Sequence, residues 1–170
     1  GACMMDLIRT ERLVLRRFRD ADIPAITAAL QDRDIVRMMP QMPWPYTRAD
    51  AEQYVRDLAP SKPLGFAIEY DGTLIGSVGA DIRLGYWLSR PAWCKGFASE
   101  ASRGLLGYRF ERDRSTLLSG HRVDNPGSRR VLEKLGFVDI SQKSVHSFGE
   151  GADVKNQVMQ LTHSAWEAEQ

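Results

Sequence analysis

The amino-acid sequence predicts an α/β domain in which one mixed, mainly antiparallel twisted sheet of about seven strands is flanked by helices. Three observations support this fold class. Asp71 and Gly72 separate two short apolar runs, which is typical of a tight β-hairpin. A second hairpin is predicted from residues 137–148 and 154–161. Between the hairpins, residues 82–122 have the pattern strand, helix, strand, which implies one parallel pair of strands.

The length and composition are those of a single globular domain. The chain has 170 residues, of which 43% are hydrophobic and 26% are charged, so it is long enough to bury a real core. We assign residues 9–170 to one domain and residues 1–8 to an N-terminal extension that includes a possible cloning scar.

Charge, apolar runs and cysteines limit the location and the partners. A formal net charge of +1 gives no bulk attraction to nucleic acid, so no direct nucleic-acid partner is expected. No run of about 18 apolar residues predicts a membrane span, and the N-terminus lacks the layout of a signal peptide. Two cysteines, Cys3 and Cys94, are too few for a disulfide framework. A cytoplasmic location is therefore predicted.

The first third of the chain predicts one strand, two helices and an extended loop. Leu13–Arg16 is a short apolar run and predicts the first strand. Asp20 opens a helix with apolar residues at helical spacing, namely Ile23, Ile26 and Leu30. Residues 38–46 contain three prolines, which exclude a helix there. Thr47 begins a capping box, and the helix that follows should bury one face, formed by Ala51, Tyr54, Val55 and Leu58.

The remaining elements follow the first hairpin. Its strands are Phe66–Tyr70 and Leu74–Val78, and Ile82–Leu88 is predicted as a further strand. A helix follows, with an apolar face that contains Ala101, Leu105 and Tyr108. Thr116–Arg122 is the next strand, and a last helix precedes the second hairpin.

The most informative segment is residues 93–101, with the sequence WCKGFASEA, a turn of small residues that leads into a helix. Such a turn leaves unpaired N–H groups at the positive end of the helix dipole, where a phosphate or pyrophosphate binds well. Gly96 and Ala98 are small, as the close approach of a ligand to the backbone requires. The alternative is an ordinary turn between a strand and a helix.

A second helix start at Asn125-Pro126-Gly127-Ser128 offers an amide and a hydroxyl. Asn125 is a good N-cap, and Gly136 lies where that helix should end. Together, the two helix starts predict a phosphate-bearing cofactor that is held at one start and contacted further along at the other.

These motifs resemble those of the GNAT family of N-acetyltransferases, and most closely its branch of ribosomal-protein N-terminal acetyltransferases. Gly96 and Ala98 match the small positions of the family's acyl-CoA pyrophosphate loop. Trp93 stands where Gln or Arg is usual, as it often does in this branch, and Cys94 stands where Gly is common. The resemblance spans roughly residues 9–166 and includes further segments, which are Thr10–Arg16, Pro43–Tyr46, Gly85–Leu88 and Asn125–Phe137.

The resemblance implies that acetyl-CoA is the cosubstrate. It also implies that strands four and five, Ile82–Leu88 and Thr116–Arg122, splay apart so that their free backbone groups pair with the pantetheine arm. Gly85 would help the splay as a bulge, or would pack beside Tyr86 or Trp87. The residues expected to bind the cofactor are Leu88, Ser89, Lys95, Gly96, Phe97, Ala98, Ser99, Asn125 and Ser128. No metal is expected, because the histidines and cysteines lack metal-ligand spacing.

The implied activity is transfer of the acetyl group to a primary amine by direct attack in a ternary complex. A backbone N–H near Leu88 would stabilise the tetrahedral intermediate. Ser128 would donate a proton to the departing thiolate, or would only help to cap its helix. The candidate bases are Asp81, Glu69 and His121. A water relay is the alternative, because an α-amine with a pKa of about 7.7–8.0 is partly neutral at pH 7.

The acceptor is expected to be a protein N-terminus or a small-molecule amine. Trp44 and Tyr46 are the predicted lining of the acceptor pocket, whereas Trp87 is predicted to be core. The last hairpin would support a homodimer. Two rival functions are a non-catalytic acyl-CoA-binding sensor or regulatory module and, less favoured by the charge, a protein that uses its arginines to bind ribosomes or RNA.

Overall fold

Residues 7–170 are the part of the chain that the computed structural model describes, and they form eight strands and six α-helices. The strands are β1 (Leu7–Arg9), β2 (Leu13–Arg16), β3 (Gly65–Tyr70), β4 (Thr73–Gly79), β5 (Gly85–Leu88), β6 (Leu117–Arg122), β7 (Val138–Ser147) and β8 (Ala152–Leu161). The helices are α1 (Ile23–Ala29), α2 (Arg33–Val36), α3 (Arg48–Gln53), α4 (Phe97–Arg112), α5 (Pro126–Leu135) and α6 (His163–Ala168). None of the helices within this range is long and apolar enough to cross a membrane.

The strands form two antiparallel sheets that meet at one point. Strands β1 to β5 follow one another in order in the first sheet, and the second sheet has the order β6, β8, β7. A parallel bridge between Arg83 and Leu118 joins the sheets, and beside it the Leu84 N–H donates to the Leu118 carbonyl at 2.8 Å. Beyond this bridge β5 and β6 separate. The predicted α/β fold, mainly antiparallel and flanked by helices, with two central strands that separate, is therefore confirmed. Its eight strands lie in two sheets joined by this bridge, whereas the sequence predicts one sheet of about seven strands.

Helices cover both faces of the sheets. One face packs against α4, α5 and α6, in a core cluster that includes Leu105, Leu132 and Trp166. The other face packs against α1, α2 and α3, in a cluster that includes Ile26, Val36 and Ala51. We call these the α4–α6 face and the α1–α3 face.

Neighbouring residues of a strand point to opposite faces. Leu88 lies in the cluster of the α4–α6 face, whereas Trp87 packs against the cluster of the α1–α3 face. His121 and Arg122 divide in the same way, because His121 contacts Arg129 of α5 and Arg122 donates to the carbonyl of Arg37 at the end of α2. This alternation decides which side of the cleft each candidate side chain can reach.

Local signals in the sequence placed the turns and caps correctly. Asp71 and Gly72 have φ values of 49° and 79°, the left-handed pair that a tight hairpin requires. Thr47 and Asp50 form the predicted capping box, with the Asp50 N–H donating to Thr47 Oγ1 at 3.2 Å. Gly136 ends α5 with a φ of 103°, where a side chain would be strained.

Two predictions, the burial of Leu58 and the start of the strand at Ile82, are wrong. Leu58 is 45% exposed rather than buried beside Ala51, because a π-helical turn over Tyr54–Leu58 follows α3 and its wider winding rotates Leu58 away from that face. Ile82 is 83% exposed and lies before β5, which begins only at Gly85.

Three short elements, β1, α2 and α6, were not predicted from the sequence. Strand β1 pairs with β2, with Leu7 opposite Arg16, and it begins inside the segment that the sequence assigns to the N-terminal extension. Residues 1–6 of that segment lie outside the described part of the chain. Helices α2 and α6 have only four and six residues, so neither repeats an apolar position often enough to show a period.

Candidate active site

A cavity of about 1380 Å³ lies where β5 and β6 separate. Most of the predicted site residues line it, namely Tyr46, Asp81, Leu88, Gly96, Phe97, Ala98, Ser99, His121, Asn125 and Ser128. Three predicted site residues are not among its lining: Trp44, Ser89 and Lys95. Within residues 7–170, no group of three or more His, Cys, Asp or Glu side chains is arranged to hold a metal ion.

Strand β5 directs the backbone N–H groups of two of its residues, Tyr86 and Leu88, toward the cleft. The Ser89 N–H donates to the Ile75 carbonyl at 2.8 Å. Because β4 and β5 pair in regular antiparallel register, Trp87, two residues earlier, also forms backbone hydrogen bonds with β4. Because the pattern alternates, the N–H groups of Tyr86 and Leu88 face away from β4, toward β6. The Leu88 carbonyl is already used, since it accepts from the Trp93 indole at 2.8 Å. The Leu88 N–H is therefore a donor directed into the opening.

Gly85 is the first residue of β5, and it does not form a bulge with β4. It pairs with Gly79 in regular register. A Cβ built on Gly85 would meet no atom within 4 Å, so its open side belongs to the cleft.

The loop at residues 93–101, predicted to bind the cofactor, leads into a helix start whose first N–H groups have no helical partner. A 3-10 turn over Arg90–Ala92 separates it from β5, so the strand does not lead directly into the helix. Cys94 and Gly96 are left-handed, with φ values of 60° and 79°. The Glu100 N–H makes a helical bond to the Gly96 carbonyl at 3.1 Å. The three preceding N–H groups, those of Phe97, Ala98 and Ser99, lie before the first such bond and are available to a ligand.

Glu100 fixes the first turn of α4 to the beginning of β2. Its carboxylate accepts from the Arg12 N–H at 2.8 Å, from Arg12 Nε at 2.7 Å and from the Thr10 hydroxyl. The Arg12 guanidinium lies 4.3 Å from the centre of the Phe97 ring. Burial acts to raise the pKa of Glu100, but the bonds from Thr10 and Arg12 outweigh it, so this pKa lies below its ordinary value. The sequence pattern did not indicate this support, because the partners are far apart in the chain.

At the start of α5, Asn125 and Ser128 are arranged around the helix cap. Asn125 Oδ1 accepts from the Ser128 N–H at 3.2 Å, which leaves the Asn125 Nδ2 group to donate elsewhere. The Ser128 hydroxyl lies 3.0 Å from the Tyr86 hydroxyl, across the cleft on β5. Burial raises the pKa of Tyr86, and the hydrogen bond with Ser128 opposes that shift only in part.

Sequence reasoning missed Tyr86 as a site residue. The alternation along β5 could have found it, because Tyr86 shares the face of Leu88 and therefore points toward α5.

The three candidate bases lie in three different settings. Buried His121 is on the α4–α6 face, where Nδ1 lies 2.7 Å from the Arg122 carbonyl and Nε2 lies 3.4 Å from Arg129 Nη1. A carbonyl can only accept, so Nδ1 carries the proton and the Nε2 lone pair faces a guanidinium. Asp81 is exposed at the cavity margin and accepts from the Leu64 N–H at 3.0 Å. Glu69 lies outside the cavity lining and bonds to Arg16 at 2.9 Å.

The side of the cavity on the α1–α3 face is mostly apolar and aromatic. Its lining includes Met38, Met39, Met42, Tyr46, Tyr54 and Trp87. Tyr46 is deeply buried there, and burial, with smaller contributions from Asp50 and Tyr54, raises its pKa to about 12. Trp44 packs against the core cluster of this face and not into the cavity. Asn156, which sequence reasoning missed, lines the cavity and has a buried Oδ1 with no hydrogen-bond partner.

A sheet that opens beyond one parallel bridge, with two helix starts at the opening, is the arrangement expected of an acyl-CoA-dependent N-acyltransferase. The family model described as an acetyltransferase (GNAT) domain matches residues 12–138. The chain therefore belongs to the GNAT acetyltransferase family, and it is an N-acyltransferase.

Individual relatives agree with this assignment. The chain is 27% identical over 152 residues to the uncharacterized N-acetyltransferase p20 of Bacillus licheniformis, which covers 78% of this chain and 83% of p20. A GNAT-family acetyltransferase from Bacillus anthracis superposes with a TM-score of 0.81 at 21% identity, covering 93% of this chain and 99% of that one. RimL, a ribosomal L7/L12 alpha-N-protein acetyltransferase in complex with coenzyme A, superposes with a TM-score of 0.79 at 18% identity, covering 94% and 99%. At these identities the two solved structures bear on the fold.

Proposed function

We propose that this GNAT enzyme moves the acetyl group of acetyl-CoA to a primary amine by direct attack in a ternary complex. The observation that carries the proposal is the cleft itself. One cavity brings together the free N–H groups at the start of α4, the Leu88 N–H of β5 and the Ser128 hydroxyl at the start of α5. A long ligand with a phosphate at one end and a thioester further along matches this order of groups.

The proposed cofactor contacts follow the cleft from its phosphate end. The N–H groups of Phe97, Ala98 and Ser99 bind the pyrophosphate, while Gly96 leaves room for it. Exposed Lys95 lies outside the cavity lining and contributes its charge at the rim. Ser89 also lies outside the lining, and its N–H and carbonyl are already bonded to Ile75 and Ala92, so the proposed contact of Ser89 is through its side chain.

The pantetheine arm then pairs with the open edges of the two strands, as an added strand would. Asn125 Nδ2 is the proposed side-chain donor to that arm.

The proposed chemistry uses two of these groups at the thioester. The amine nitrogen attacks the carbonyl carbon, and the Leu88 N–H stabilises the charge that develops on the carbonyl oxygen. When the intermediate collapses, the C–S bond breaks and its electron pair stays on sulfur. Ser128 gives its proton to that sulfur, and the proton that the nitrogen loses passes through water in the cavity and restores the Ser128 hydroxyl.

We propose that no side chain is required as a dedicated base. The lone pair of His121 faces Arg129, and Asp81 lies at the margin, where it can receive a proton from water and not directly from the amine. An α-amine with a pKa of about 7.7–8.0 supplies enough neutral nucleophile near pH 8 for water to suffice.

Replacing His121 tests this view. His121→Gln should change kcat by less than about threefold and should leave the pH profile of kcat/KM unaltered, because the imidazole takes no proton. Initial rates with acetyl-CoA and one amine between pH 6 and pH 9 measure this. A loss of about 100-fold together with the disappearance of the acidic limb of the profile would make His121 the base.

The acceptor that we propose is an amine with an apolar neighbour, either a protein N-terminus or a small molecule. The methionines and aromatic rings on the α1–α3 face can contact the apolar part, and Asn156 Oδ1 is an unpaired acceptor for an N–H group. The likeness to RimL, whose substrate is ribosomal protein L7/L12, makes protein N-termini the first acceptors to try. A cytoplasmic location and a homodimer through the β7–β8 hairpin remain predictions.

Ser128→Ala tests the proposed function together with the role of this serine. The wild-type enzyme should convert acetyl-CoA to free CoA in the presence of an amine, and Ser128→Ala should lower kcat by about 100-fold, as removal of a general acid does. The KM for acetyl-CoA should stay within about threefold, because the Ser128 N–H that caps α5 is retained. Thiol release and the mass of the acetylated amine measure the reaction.

The matched control is Ser144→Ala, since Ser144 is an exposed serine of β7. It should behave as the wild type. If acetyl-CoA stays intact after long incubation with panels of peptides and small amines, the proposed reaction is contradicted.

A further inference from the structure

We infer that Tyr86 is a positioning residue that directs the Ser128 hydroxyl proton toward the leaving sulfur. The inference rests on the proposed function and deepens it, because it says why the serine can act as an acid. It depends on one contact across the cleft, the 3.0 Å separation of the Tyr86 and Ser128 hydroxyl oxygens. Both residues line the cavity.

The direction of this hydrogen bond decides whether Ser128 can donate. Each hydroxyl has one proton, and the distance alone allows either oxygen to be the donor. If Ser128 donated to Tyr86, its proton would be turned away from the thioester. If Tyr86 donates, the serine oxygen is the acceptor and its own proton is free for the sulfur.

The acidity of the phenol makes Tyr86 the donor. A phenol is the stronger acid of the two hydroxyls and therefore the better donor. Burial raises the pKa of Tyr86, so the phenol has a proton to donate, but this shift does not itself set the direction of the bond. Asn125 Oδ1 accepts from the Ser128 backbone N–H at 3.2 Å, whereas the contact of the Ser128 hydroxyl is with Tyr86.

The proton balance leaves Tyr86 unchanged. As the C–S bond breaks, its electrons stay on sulfur and the Ser128 proton moves to that sulfur. The proton that the attacking nitrogen releases to water replaces it on Ser128. Without the phenol, a serine near a helix start can turn its hydroxyl to a nearby backbone carbonyl, which removes it from the reaction.

A double-mutant cycle tests the inference. Tyr86→Phe keeps the ring and removes only the hydroxyl. We expect kcat to fall about tenfold with an unchanged KM for acetyl-CoA, and the melting temperature to fall by no more than about 4 °C. In a Ser128→Ala background, Tyr86→Phe should cause no further loss, because Tyr86 acts through the serine. Tyr108→Phe is the matched control, a tyrosine of α4 whose ring packs against Phe66.

Two results would overturn the inference. One is a Tyr86→Phe enzyme with the kcat of the wild type. The other is the same tenfold loss in both backgrounds, which would show that Tyr86 acts independently of Ser128. Turnover by the wild-type enzyme establishes the proposed function separately, so either result counts against Tyr86 alone.

Discussion

Gly96→Val should weaken acetyl-CoA binding by at least about 100-fold, which corresponds to about 2.7 kcal/mol of binding free energy. Gly96 has a φ of 79°, a conformation that a β-branched residue adopts only with strain. Gly96 immediately precedes the free N–H groups of α4. A side chain at this position would therefore change the direction of those N–H groups and would occupy space that the ligand needs. A Cβ at this position would already lie 3.4 Å from Arg12 Nη2, so the valine methyl groups would also disturb the bond between Arg12 and Glu100.

The control for this substitution is Gly72→Val. Gly72 has the same φ of 79°, and a Cβ there would meet nothing within 4 Å. Both valines should therefore lower the melting temperature through the same backbone strain, worth about 1–2 kcal/mol. Calorimetric titration with acetyl-CoA should find binding lost in Gly96→Val and retained in Gly72→Val. Equal affinities in the two variants would mean that residues 93–101 form only a turn.

Asp22→Ala should lower the free energy of unfolding by about 3 kcal/mol, because it leaves a buried guanidinium without its main partner. Arg16 and Asp22 are only 8% and 4% exposed, and two hydrogen bonds of 2.9 and 2.8 Å join them. The Asp22 carboxylate also accepts from the Arg19 N–H at 2.9 Å, which fixes the chain between β2 and α1. Glu69 would remain beside Arg16 at 2.9 Å, so we expect a loss near the lower end of the range for broken buried pairs.

The control is Asp20→Ala, which removes an exposed carboxylate two residues away and so shows how much of the loss comes from the burial of Asp22. Asp20 pairs with Arg56 at 3.3 Å, but the two side chains are 69% and 50% exposed. Such a surface pair contributes about 0–1 kcal/mol. Urea unfolding of both variants measures the difference, and a loss below about 1 kcal/mol for Asp22→Ala would show that the buried pair contributes little to stability.

The features that sequence reasoning predicted correctly depend on neighbours in the chain. The Asp71-Gly72 turn, the Thr47 capping box and the cap at Asn125 each need only the residues within a few positions. The start of α4 after Gly96 belongs to the same group, because small residues before a helix start already specify free N–H groups.

What the sequence left open depends on contacts between distant segments. Tyr86 and Ser128 are 42 positions apart, and Arg12 and Glu100 are 88 apart, so no local pattern pairs them. The orientation of His121 follows from which face of β6 it occupies, and that face is settled only when α5 packs against it. Strand β1 has three residues, too few for an alternating pattern to be visible.

The single bridge between Arg83 and Leu118 makes the centre of the sheet incomplete. In most sheets the middle strands are the most firmly bonded, whereas here the inner edges of β5 and β6 keep donors and acceptors unused beyond that bridge. A pantetheine arm that pairs with both edges would act as the strand that the fold leaves out. Cofactor binding would then also make the sheet more rigid, because the backbone groups that bind the cofactor are those that would otherwise pair β5 with β6.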